Sequence, residues 1–127
     1  MIPTYVLDSG ALIALERGKA SAIRFLRLAE VGRARLVVPH LVIAEWWRGR
    51  SDTREAILAS TRVVASIEAV KAAGRALGRQ RRVDSRLTID AIVMATAALL
   101  DAIVLTSDPA DFDRLSVAFP GVTVLAT

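Results

Sequence analysis

The chain has 127 residues, with 17 Lys or Arg against 13 Asp or Glu, one histidine, no cysteine and a net charge of +4. A single domain over residues 1–127 is expected, large enough to bury a real core, and the lack of cysteine excludes a disulfide framework or a thiolate site. The hydrophobic fraction of 54% is high for a small protein, yet no apolar run approaches the roughly 20 residues that span a bilayer.

The excess apolar surface is therefore expected between helices or against a second chain. Met1-Ile2-Pro3-Thr4 has no basic leader character, so a cytoplasmic protein without a membrane segment is expected. Arginine supplies 15 of the 17 basic residues. Its planar fork suits phosphate better than a lysine point charge does. A solvated arginine-rich surface explains the same composition equally well.

In chain order, Thr4 to Leu7 reads as a short buried strand that stops at Asp8-Ser9-Gly10. Ala11 to Arg17 and Ala20 to Val31 read as helices stopped by Gly18 and Gly32. Arg35 to Val38 is a strand closed by Pro39, followed by helices from His40 to Arg48 and from Thr53 to Ser60. Arg62 to Val64 is a short strand, and Ile67 to Arg79 is a helix weakened by Gly74. A basic link leads to the run Arg86 to Leu100, which is apolar on nearly every face and so predicts a buried helix. Ala102 to Leu105 and Val122 to Leu125 are the last strands. Short apolar strands alternating with helices predict an α/β fold, a small α/β/α sandwich around a mostly parallel sheet.

Four acids stand out in this pattern. Asp8 and Asp108 follow strands, at the sheet end where ligands bind in such folds. Glu45 and Asp90 lie inside strongly apolar helices, where an unpaired carboxylate costs several kcal/mol. Each has a plainer explanation: Asp8 and Asp108 suit helix N-caps, Asp90 suits a first helical turn, and Glu45 suits a solvated helix face. All four plain explanations together are much less probable than any one of them.

Carboxylates about 4 Å apart repel by roughly 4 kcal/mol at an effective dielectric near 20. A convergent set needs a divalent cation or a shared proton. All-oxygen ligands favour Mg2+, with Mn2+ as substitute, and a single histidine without cysteine cannot assemble a conventional zinc site. A hard cation in a basic domain points to phosphodiester hydrolysis. His40 reads as a helix-start residue. Trp46 and Trp47 read as two core positions, with one of them meeting a nucleic-acid base or a protein partner as the competing account.

Val6-Leu7-Asp8-Ser9-Gly10-Ala11-Leu12, Pro39 to Gly49, Asp90 to Ala97 and Leu105-Thr106-Ser107-Asp108-Pro109-Ala110-Asp111-Phe112 together resemble the PIN-domain nucleases, and more closely the VapC-type toxins of toxin–antitoxin pairs. The stretches occur in family order, with an acid at every expected position. The resemblance implies a Mg2+-dependent endoribonuclease with Asp8, Glu45, Asp90 and Asp108 as catalytic, metal-coordinating acids and Asp111 as a candidate fifth. It also implies a homodimer and a cognate antitoxin.

Thr106 and Ser107 are candidate supporting hydroxyls, or simple strand-end caps. Arg79, Arg81, Arg82 and Arg86 are candidate RNA-phosphate contacts, with a solvated loop as the alternative. A PIN-like module that binds RNA or protein without cutting is the competing function. A phosphatase or phosphoacceptor lacks its second acid and late lysine, and no glycine-rich phosphate loop is present.

Overall fold

The computed structural model describes residues Met1–Thr127. Five strands form one sheet: β1 (Thr4–Leu7), β2 (Arg35–Pro39), β3 (Arg62–Val64), β4 (Ile103–Thr106) and β5 (Val124–Ala126). Their order is β3-β2-β1-β4-β5 and every pairing is parallel, so the expected "mostly parallel" sheet is parallel throughout. Val6 sits in register with Val37 on one side and Val104 on the other, which buries β1 at the centre.

From β1 the chain steps outward to β2 and β3, then crosses back to β4 and β5 on the other side. The direction reverses between β1 and β4. In an open α/β sheet, that reversal opens a crevice beyond the carboxyl ends of the two strands. Asp8 directly follows β1, and Ser107-Asp108 directly follow β4. Topology alone thus places these residues side by side.

The helices are α1 (Ser9–Glu16), α2 (Ala20–Glu30), α3 (His40–Trp46), α4 (Asp52–Ala59), α5 (Ile67–Leu77), α6 (Ser85–Leu100) and α7 (Asp113–Ser116). Several starts are capped by side chains: Asp8, Ser51, Ser66 and Asp84 accept from the amides of Ala11, Arg54, Ala69 and Leu87. Gly18 and Gly32 follow α1 and α2 with φ of 72° and 73°, a region that penalises other residues. α6 packs against α5 and across β1, β2 and β4, while α1 packs against α2, α3 and α4. The result is a sheet between two helical layers, with one cluster of 28 buried residues as its core. No helix is long and apolar enough to cross a membrane.

Several local expectations are corrected. α1 begins at Ser9, two residues early, because Asp8 caps it. α3 ends at Trp46, since Trp47 is extended at φ −66° and ψ 127°, so Glu45 lies in the last turn and not mid-helix. A 3-10 turn (Pro109–Phe112) and α7 follow β4, where the sequence predicts no element, and the last strand starts at Val124 and not at Val122. α6 is buried from Ala91 to Ala97, but Leu99 and Leu100 are 50% and 45% exposed. Complete burial of that helix therefore stops one turn short of its end.

Candidate active site

Asp8 is the fixed point of the crevice. It is 8% exposed; its Oδ1 accepts from the Ala11 amide at 2.8 Å, and its Oδ2 accepts from the Thr106 hydroxyl at 2.5 Å. The helix-capping account of Asp8 is therefore correct as geometry. It is not the whole account, because the carboxyl is pushed up to about 6: burial raises it, the two hydrogen bonds oppose that, and Glu45 and Asp111 raise it further.

Asp90 lies half-buried in the second turn of α6 and accepts no protein hydrogen bond. Its carboxyl is pushed up to about 7, first by burial, then by Asp8, Glu45 and Asp111, with Arg86 opposing. Glu45 is half-buried in the last turn of α3, the helix end least hospitable to negative charge. The two carboxylates that weigh on both buried acids are thus Glu45 and Asp111.

Asp108 stands differently. It is exposed and makes no side-chain cap bond, so the expected N-cap of the following turn does not form, although Pro109 takes the first position there. Its amide instead donates to the Thr106 hydroxyl at 3.1 Å. Asp108 shapes the turn through its backbone, and Asp111, one 3-10 turn later, presents the carboxylate. Thr106 is fully buried and links the two: its hydroxyl donates to Asp8 and accepts from Asp108. The Ser107 hydroxyl donates to the Gly10 carbonyl at 2.9 Å and lies 3.2 Å from the Thr127 hydroxyl, tying β4 to α1 and β5.

Beside Asp90 and Asp111 opens a cleft of about 240 Å³, lined also by Asp84, Arg86, Leu87 and Arg114. Arg79, Arg81 and Arg82 are exposed but do not line it. Asp84 and Arg114 are members that the sequence reading missed. Asp84 had a legible signal, as a cap residue three before Leu87; Arg114 had none. His40 is exposed at the start of α3. Trp46 is buried and Trp47 half-buried, with their rings edge-to-face at 6.0 Å.

No three acid or histidine side chains lie close enough to form a ready-made metal cage. The donors nonetheless suit a hard cation. They are all carboxylate oxygens, two of them are held partly protonated by burial and mutual repulsion, and Mg2+ keeps several waters while using only one or two carboxylates.

The family model for the PIN domain matches residues 5–118. The chain belongs to the PIN-domain family. No curated protein sequence gives a significant match. Among solved structures, the fold is similar to VapBC2 from Rickettsia felis, solved bound to a DNA fragment from its promoter: TM-score 0.70, 15% identity, 98% of each chain. It is also similar to DNA-bound VapBC from Salmonella typhimurium, with TM-score 0.67, 18% identity, and coverage of 99% of this chain and 98% of that one. PAE2754 from Pyrobaculum aerophilum aligns with TM-score 0.61 and 22% identity over 98% of this chain and 92% of that one. These likenesses show a shared fold over nearly the whole chain.

Proposed function

We propose that this PIN domain is a Mg2+-dependent endoribonuclease, with Mn2+ as substitute, acting as the VapC-type toxin of a pair and silenced by a cognate antitoxin. The observation that carries this reading is the pair of acids, buried Asp8 and half-buried Asp90, whose protons are retained to about 6 and 7 by desolvation and by neighbouring carboxylates. A fold keeps such groups at a cost in stability, which a cation would offset. The likeness to VapBC structures over nearly the whole chain supports the toxin role and the antitoxin partner; a homodimer in a cytoplasmic setting is part of the same proposal.

In this reading Asp8, Glu45 and Asp90 hold the cation. Asp108 is retained as a candidate that has to turn inward, and Asp111 joins the set because its charge already acts on Asp8 and Asp90. A bound divalent cation supplies Lewis acidity at the phosphate and lowers the pKa of water. The protein's own work is orientation. Thr106 and the Ala11 amide fix both oxygens of Asp8, so its charge points one way before substrate arrives. Arg86, one helical turn before Asp90, favours the ionised form of that acid. As the pH rises above about 7, Asp90 becomes mostly deprotonated and able to act as a ligand or as a base toward water.

The test is cleavage of RNA by purified, antitoxin-free protein. Activity should require Mg2+ or Mn2+, stop with EDTA, and fall by about 10³-fold in Asp8→Asn with the fold intact. EDTA-insensitive cleavage, or full activity in that variant, would refute it. The competing reading, a module that binds without cutting, draws on the loose spacing of the acids. It predicts RNA binding without any metal-dependent cleavage.

A further inference from the structure

We propose that Arg114 is a substrate-binding residue, gripping a phosphate of single-stranded RNA across the cleft from Arg86; the RNA part of this rests on the ribonuclease reading. The cleft has two walls, and each offers an acid and an arginine on one face. On α6 these are Arg86 and Asp90, four residues apart; on the 3-10 turn and α7 they are Asp111 and Arg114, three apart. Phe112 and Leu115 are buried at 1% and 0% exposure, which turns their exposed neighbours Asp111 and Arg114 outward to the cleft.

Opposite charges lining one small space would ordinarily pair. Here they do not: the ion pairs of the molecule, Arg50–Asp52 and Arg54–Glu16, are elsewhere. The carboxylates and guanidinium groups are held apart, one set able to face a cation and the other an anion. A phosphodiester beside a hydrated divalent cation has that charge pattern.

Arg114 is also pre-positioned. Its Nη2 donates to the Arg82 carbonyl at 2.7 Å, and the Gln80 amide donates to the Arg114 carbonyl at 3.5 Å. One donor of the five on the guanidinium is thereby used for anchoring, and the rest make no protein hydrogen bond. A side chain already fixed loses less freedom on meeting a ligand than a mobile one. The same anchor docks the basic loop that carries Arg79, Arg81 and Arg82 against α7.

The experiment measures binding of a labelled single-stranded RNA oligonucleotide to the full chain carrying Asp8→Asn, which lies outside the cleft, in constant Mg2+ over a range of KCl. Losing one phosphate contact should lower the slope of log K against log salt by about 0.7. Arg114→Ala should show that drop with about fivefold weaker binding at low salt. Arg114→Lys keeps the charge but not the fork, and should retain the slope.

An unchanged slope in Arg114→Ala overturns the proposal. So does an equal drop in both variants, because the residue would then act only by docking the loop. If the protein with Asp8 intact leaves RNA uncut, the ribonuclease reading fails alone, and the slope still decides Arg114. Should an acidic peptide compete for Arg114 while RNA shows no dependence on it, the cleft belongs to a protein partner and the RNA assignment falls.

Discussion

Asp90→Asn should abolish cleavage and make the fold more stable. The native carboxyl holds its proton up to about 7, whereas the unfolded chain releases it near the ordinary value of 3.8. Between those values the native state binds more protons than the unfolded state, so stability falls as pH rises from about 4 to 7. Each pKa unit is worth about 1.4 kcal/mol, so the full shift converts to about 4 kcal/mol. Asp90 is only half-buried, and screening by solvent reduces that to about 2 kcal/mol.

Asparagine has the same shape and no charge to desolvate, and Asp90 has no protein hydrogen bond to lose. In EDTA at pH 8, thermal unfolding of Asp90→Asn should therefore come about 8 °C higher than the parent, at roughly 4 °C per kcal/mol for a domain of this size. At pH 4 the two proteins should melt together. Millimolar Mg2+ should raise the parent and leave the variant nearly unchanged. A variant no more stable than the parent at pH 8, or a difference that persists undiminished at pH 4, would refute the reasoning.

Thr106→Val removes the hydroxyl between Asp8 and the Asp108 amide. Unfolding should cost about 2 kcal/mol less, and the acid limb of the pH–rate profile should move to higher pH, because that hydrogen bond holds the Asp8 carboxyl down; an unmoved limb would detach Asp8 from the limb. Phe112→Ala empties a fully buried ring position beneath Asp111, so denaturant melts should show a loss of about 3–4 kcal/mol. RNA cleavage should fall with it as the turn loosens; full activity at full stability would show that Asp111 needs no such support.

The frame of this protein was readable because its signals are local. Val6 and Leu7, or Val37 and Val38, are apolar runs too short for a helix, and Gly18 and Gly32 end helices where only a positive φ continues the chain. Asp8 and Asp90 were visible as acids in apolar company. The turn after β4 was not readable. Pro109-Ala110-Asp111-Phe112 has no helical or strand period, and whether Asp108 or Asp111 faces the crevice depends on how Phe112 inserts into the core. Arg114 was invisible because its anchor is a backbone carbonyl 32 residues away. The sequence puts Glu45 inside a helix running to Arg48, because nothing in Trp47 announces that α3 ends there; tertiary packing decides it. The exposure of Leu99 and Leu100 likewise reflects what lies beside α6, not its own composition.

The sheet's two outer strands, β3 and β5, are three residues long each, and β3 opens on the charged Arg62. So short a ladder gives a foreign strand almost nothing to grip, which guards the rim against edge-to-edge growth. Backbone pairing at either rim therefore offers little hold to any other chain, and the sheet stays closed to extension at both ends.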